Sequence, residues 1–191
     1  QHLWAMTQRD GKPSGKLVAG LKLQARPDHW YGVELVGDPR GNIRSETIRR
    51  TAADGTVLSE EQVITDDQAL KISAYFGHRW GPGALRLGLI EGTGGFGGDL
   101  WLWNDALKLT VDTFELGRID KPLPRLRAFA QLHLADHLFL GGGIDDALND
   151  PLLANGIVRT GRDFFVHGGL QFNDDDLKTI LAIVGIPGAG K

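Results

Sequence analysis

The feature that most constrains this chain is a row of apolar residues that returns at every second position. Leu17, Ala19, Leu21, Leu23 and Ala25 alternate with Val18, Gly20, Lys22, Gln24 and Arg26. A repeat of two gives a strand one apolar face and one mostly polar face, which a helix cannot do. The pattern returns in Tyr31, Val33 and Leu35, in Leu70, Ile72, Ala74 and Phe76, and in Leu85, Leu87 and Leu89. It continues through Leu107, Leu109 and Val111, through Leu126, Ala128, Ala130, Leu132 and Leu134, and through Leu138 and Leu140. The last row is Phe164, Val166, Gly168, Leu170 and Phe172. Between the rows lie residues that turn a chain: 26–29, Gly37-Asp38-Pro39-Arg40-Gly41, Trp80-Gly81-Pro82-Gly83, Asn104-Asp105 and Ala135-Asp136.

These segments make roughly ten to twelve strands, more than an open twisted sheet carries comfortably. Closure removes the unpaired edges, so the expected fold is all-β, a closed antiparallel β-barrel of outer-membrane type. A single domain over 1–191 is expected, with the barrel at 15–172. From Asn42 to Thr65 the residues are mostly polar and β-branched around Ala53-Asp54-Gly55, which reads as a long hairpin standing in water. Asn173-Asp174-Asp175-Asp176 followed by Leu177, Ile180, Leu181 and Val184 reads as an N-capped amphipathic helix over 173–185 that packs on the barrel or plugs one end.

Alternation does not say whether the leucine row lines a soluble core or meets lipid, because both arrangements share the period of two. Leu21, Leu23 and Ile72 are therefore candidate lipid-facing residues whose direction the sequence leaves unassigned. Two features tilt toward lipid. The second face carries charges of both signs (Lys22, Arg26, Glu34, Lys71, Arg86, Asp99, Lys108, Asp112, Arg127), as a hydrated lumen would. Trp30, Tyr31, Trp80, Trp101, Trp103, Phe164 and Phe165 lie near strand ends, as interfacial girdles would. Tryptophans near turns also cap ordinary cores, and a soluble barrel needs a charged exterior, so the soluble alternative stays open.

Composition removes several function classes. The 191 residues include no cysteine, which excludes disulfide scaffolds, thiol nucleophiles and Cys-ligated metals. With 21 basic and 24 acidic groups spread along the chain, no basic stripe proposes nucleic acid as a partner. The chain opens at Gln1 without a charged-then-apolar leader, so a processed mature protein or a piece of something longer is expected. The apolar run from Leu177 to Ile186 is too short to cross a bilayer, and any insertion would use strands.

Candidate chemistry is thin. Gly185-Ile186-Pro187-Gly188-Ala189-Gly190-Lys191 has the spelling of a phosphate loop, but no Ser or Thr follows the lysine and no parallel βαβ pattern precedes it. The run from Gly92 to Gly98 joins two strands and opens no helix, so a hairpin or barrel bend is expected. His133, Asp136 and His137 with Asp145 and Asp146 could be drawn as a metal or acid–base cluster, yet a turn splits the histidines. Ser14, Ser45, Ser59 and Ser73 lack a nucleophile-elbow setting. No catalytic residue, cofactor or metal is expected.

Particular words of the sequence resemble a known family. Arg26-Pro27-Asp28-His29-Trp30-Tyr31 with Glu34-Leu35-Val36-Gly37-Asp38-Pro39-Arg40-Gly41 resembles the opening of the C-terminal region of some bacterial MCE (mammalian cell entry, MlaD-like) proteins. Later landmarks look similar in the same order: Gly88 to Gly95, Gly143 to Asn149, Arg162 to Phe165 and Gly169 to Lys178. The resemblance implies phospholipid transport between inner and outer membranes, with this barrel as outer-membrane anchor or exit. Its implied partners are phospholipid, the outer membrane and other subunits of an MCE transport system, with an oligomer possible in a longer protein. The alternatives are a soluble periplasmic barrel that binds lipid or a neighbouring protein and, behind it, an outer-membrane lipid hydrolase.

Overall fold

A computed structural model of the chain describes residues 2–9, 12–38, 42–51, 57–66, 69–117, 123–134, 137–150, 152–154, 157–159, 161–176 and 178, with side chains described outside 2–14, 42–69 and 152–159. The strands are β1 (His2–Arg9), β2 (Lys12–Arg26), β3 (His29–Asp38), β4 (Asn42–Thr51), β5 (Val57–Asp66), β6 (Ala69–Trp80) and β7 (Gly83–Ile90). They continue as β8 (Thr93–Leu102), β9 (Leu107–Phe114), β10 (Arg125–His133), β11 (Leu138–Asp145), β12 (Leu152–Ala154), β13 (Ile157–Arg159) and β14 (Asp163–Leu170). All pairings are antiparallel. Nine strands form one continuous curved sheet in the order β2, β3, β6, β7, β8, β9, β10, β11, β14. β1 pairs with both ends of that sheet, Leu3 lying opposite Val18 on one side and Gly169 on the other, so the hydrogen-bonded order runs as a ring of ten through this strand.

Register carries the alternation from strand to strand. Leu35 lies opposite Ile72, Phe76 opposite Leu87, Leu87 opposite Phe96, Leu100 opposite Leu109, and Leu132 opposite Leu140. Because directly opposed residues share a face, the apolar rows fuse into one belt. The belt points away from the interior. Leu87 is 67% exposed and Leu85 61%, while the intervening Arg86 side chain is only 10% exposed. Leu21, Leu23 and Ile72 are exposed on the same outer surface. In β9, Val111 is exposed while Thr110 and Asp112 are buried, which fixes the direction that the period of two left open.

The inner wall sets paired charges beside the buried Val18, Val36, Phe114, Phe139 and Phe165, and large inward side chains find room beside glycines. A Cβ at Gly32 would overlap the Tyr75 ring, one at Gly77 would overlap Trp30, and one at Gly141 would overlap His167. Each glycine is a neighbour-strand position that only a hydrogen can fill.

Three expectations change. The run 92–98 is not a link: Glu91 and Gly92 form a two-residue turn with φ of 49° and 84°, and 93–98 already belong to β8. Positive φ at both central positions matches the type I′ hairpin. The aromatic set also divides. Tyr31, Trp80, Trp103 and Phe164 are exposed, but Trp30 and Phe165 are buried because each sits one residue out of phase with the belt. Finally, the described residues hold one helical turn, at 174–176, capped by Asn173 Oδ1, which accepts from the backbone N–H of Asp175 and Asp176. Residue 178 is helical as well, and 177 and 179–185 of the expected helix lie outside the described residues.

The two ends of the ring differ. Short turns at 27–28, 81–82 and 103–106 join strands at one end, where β14 also finishes. The β4–β5 hairpin, the 115–124 connection and the β12–β13 hairpin emerge at the other, together with the tight 91–92 turn. β4–β5 forms its own two-stranded sheet, in the place expected for the long polar hairpin.

Candidate functional site: the charged lumen

The inward face builds an ion-pair network from neighbouring strands. Arg86 of β7, Gly97 of β8, Asp112 of β9 and Arg127 of β10 occupy one lateral row. With no side chain at Gly97, Arg86 reaches across β8: its Nη2 donates to Asp112 Oδ1 at 2.7 Å, and its Nε lies 2.8 Å from Asp99 Oδ2. Arg127 Nη2 donates to the other oxygen of Asp112 at 3.1 Å. Thr110 Oγ1 donates to Asp99 at 2.7 Å, and Lys108 Nζ lies 3.3 Å away. Tyr75 adds a hydrogen bond to Glu34 at 2.8 Å.

Toward the long-loop end the centre is Glu91, which enters from the two-residue turn. Its carboxylate accepts from Lys16 and from Arg127, and Lys71 and Arg125 stand 3.8 and 3.7 Å away. Ser73 Oγ accepts from the backbone N–H of Glu91 at 3.0 Å, fixing the turn. Asp38 lies between Lys16 and Lys71 at 3.7 and 3.5 Å, and Asp145 takes the Arg125 guanidinium through both oxygens. At the opposite end Trp30 packs edge-on to Trp101 with ring centres 6.2 Å apart, with Lys22 over Trp30 and Arg79 over Trp101. Arg79 also grips Asp105 in the exposed 103–106 turn at 2.8 and 3.1 Å, holding that carboxyl below its usual range.

Such a lumen is filled rather than open. The cavity among Lys16, Glu34, Tyr75, Arg86, Asp112 and Arg127 has a volume of about 100 Å³. Val18, Val36, Phe129, Phe139 and Phe165 line it beside these polar groups, and it is smaller than the roughly 150 Å³ apolar cavity known to hold benzene.

The residues weighed for chemistry do not converge. His133 sits at the short-turn end, its Nδ1 3.1 Å from the Asp105 carbonyl, and His137 lies 3.5 Å from Asp176. Asp145 and Asp146 are at the far end of β11, one paired with Arg125 and the other accepting from Asn149 at 2.6 Å. Asp136 lies outside the described residues, as do the side chains of Ser14, Ser45 and Ser59 and the glycine-rich stretch 185–191. The buried Ser73 is engaged with the Glu91 backbone. Sequence reasoning named Glu34, Lys71, Arg86, Asp99, Lys108, Asp112 and Arg127 as inner-face charges, included the exposed Arg26, and missed Lys16, Asp38, Arg125 and Asp145 in that role together with Glu91, which occupies a turn and so belongs to no alternating row.

Fold and site together define a β-barrel-class protein whose polarity is inverted, with charges inside and leucines outside. The chain matches the lipocalin-like domain over residues 5–179 and belongs to that family. A protein of Aquifex aeolicus (strain VF5), described as an uncharacterized protein, is 30% identical over 184 residues, which cover 94% of this chain and 52% of the relative. The chain thus spans about half the length of that relative. No solved structure matches it.

This membership corrects the resemblance to the MCE (MlaD-like) proteins, which neither comparison supports. The misleading words fall at turns and at glycine-lined strand ends: Arg26 to Gly41 spans a turn and β3, Gly88 to Gly95 a hairpin, and Gly143 to Asn149 a strand exit. Any barrel of hairpins needs turn formers and close-approach glycines there, so these words do not separate one barrel family from another.

Proposed function

We propose that this chain is a membrane-spanning β-barrel of an outer membrane, which anchors its protein there and meets phospholipid on its outer surface. The observation that carries the reading is the inverted polarity: a continuous leucine belt outside an interior of paired charges. In water such a belt would be a large apolar patch on a folded surface, whereas in a bilayer it is the expected lipid contact. Other features agree. An even number of antiparallel strands, mostly 8 to 12 residues long, suits a tilted crossing of the hydrocarbon layer. Short turns at one end and long hairpins at the other match the periplasmic and outer faces of such barrels. Tyr31, Trp80 and Trp103 sit at the short-turn end, where an interfacial girdle belongs.

Lipocalin-like barrels in general hold a small guest in the bore. Here the charged lumen and its small cavity favour contact with lipid from outside over an apolar guest within, and over a lipid route through the bore. The role is that of an anchor and lipid-contacting wall rather than of an enzyme.

The test is flotation of the purified chain with vesicles of phosphatidylethanolamine and phosphatidylglycerol after a urea wash. Retention in the vesicle fraction, with an electrophoretic mobility that changes on boiling, is expected. A chain that stays monodisperse and monomeric in buffer without detergent contradicts the reading.

A further inference from the structure

Outside the lumen network, one constellation at the short-turn rim is unabsorbed by the proposed role. His29 opens β3 and His78 lies near the end of β6, and the β3–β6 register sets them directly opposite each other. Side chains at such positions start about 4.5–5.5 Å apart, so the two imidazoles meet without searching. Asp28 precedes His29 in the 27–28 turn, and that turn is tied to β6 by a hydrogen bond from the Arg79 N–H to the Asp28 carbonyl at 2.8 Å. The ligand atoms of Asp28, His29 and His78 lie within 4.8 Å of one another.

The donor atoms are already close to one another. Asp28 Oδ1 stands 2.7 Å from His29 Nδ1. His29 Nε2 lies 3.1 Å from His78 Nδ1. A tetrahedral ion about 2.0–2.1 Å from each nitrogen would separate them by roughly 3.3–3.4 Å, a few tenths more than is seen here. The second carboxylate oxygen, Oδ2, is 4.0 Å from His78 Nδ1 and can complete a third position. Trp80 packs edge-on against His78 with centres 4.0 Å apart, and Phe76 lies 5.6 Å from His29, so aromatic walls hold both rings.

We infer that Asp28, His29 and His78 form a binding site for a divalent transition-metal ion of the Zn²⁺ class, each offering one ligand atom: a carboxylate oxygen of Asp28 and one ring nitrogen of each histidine. Nitrogen and carboxylate donors without sulfur suit Zn²⁺, Ni²⁺ or Cu²⁺ rather than Ca²⁺ or Mg²⁺. Three protein ligands leave a fourth position for water, and the bound ion pins the 27–28 turn to β6. The inference stands on the β3–β6 ladder alone and does not depend on the membrane reading.

The test is titration of the folded chain with zinc chloride against a chromophoric chelator, followed by Co²⁺ absorption in the visible range. One Zn²⁺ per chain is expected, with a Co²⁺ spectrum of near-tetrahedral intensity. His78→Asn and His29→Gln should each weaken binding at least as much as loss of an outer-shell partner, on the order of 10- to 100-fold, while His133→Asn and His137→Asn leave it unchanged. Should the rim variants fail to fold, protection from diethyl pyrocarbonate is read on the unaltered chain, where Zn²⁺ should shield His29 and His78 and leave His137 reactive. Absence of binding, binding unaffected by His78→Asn, or protection of other histidines instead overturns the inference.

Discussion

Replacing Glu91 with alanine is expected to destabilise the folded chain by about 3–5 kcal/mol, the range for breaking a buried ion pair by deleting one partner. The carboxylate is buried among Lys16, Lys71, Arg125 and Arg127, and its removal leaves four cations facing one another across the lumen. Asp38, Asp112 and Asp145 still compensate part of that charge, which places the expected value toward the lower end of the range. Equilibrium unfolding in urea, followed by tryptophan fluorescence, reads the difference. A second replacement, Lys71→Met, should recover part of it, because one unpaired cation is then removed; a double variant no better than the single one would mean that the cluster is not electrostatically coupled.

The second large effect is expected on the opposite surface. Leu87 stands in the middle of β7, between Phe76 and Phe96 on the flanking strands, and is 67% exposed. In a bilayer this position lies near mid-depth, and Leu87→Arg should cost about 2–4 kcal/mol in folding into vesicles. On a water-facing wall the same change should fall within about 0.5 kcal/mol. The two environments therefore predict outcomes that do not overlap, and the urea midpoint of vesicle-folded protein separates them.

Much of the wall was legible because a strand writes its two faces into the sequence at a fixed spacing. Leu85, Leu87 and Leu89 announce a strand without reference to any other part of the chain, and Trp80-Gly81-Pro82-Gly83 announces the turn before it. The direction of that face was not legible, since a core and a lipid belt share one period; it is settled where Asp112 and Thr110 point inward and Val111 outward. Glu91 was invisible for a different reason. A turn residue has no parity, and only the folded 91–92 hairpin aims it at Lys16, 75 positions away. The pairing of His29 with His78 was hidden by the β4–β5 hairpin inserted between β3 and β6, which removes any local clue to their register. The glycines of 92–98 read as a hairpin or barrel bend because glycine signals turns more often than strands, and only Gly92 lies in the turn. Their role at Gly97 is to leave space for Arg86, a requirement set by the neighbouring strand.

What lies against the outer wall, acyl chains or water, decides the role of the leucine belt. The chain has no cysteine, so a single one introduced as Leu87→Cys can carry a bimane fluorophore, with Asp150→Cys in the exposed loop as the aqueous reference. In vesicles containing brominated phospholipid, the label at position 87 should be quenched by bromine in the acyl chains and be insensitive to iodide in the buffer, and the label at position 150 should behave in the opposite way. Quenching of the position 87 label by iodide, with no response to brominated lipid, would place the leucine belt in water and contradict the account.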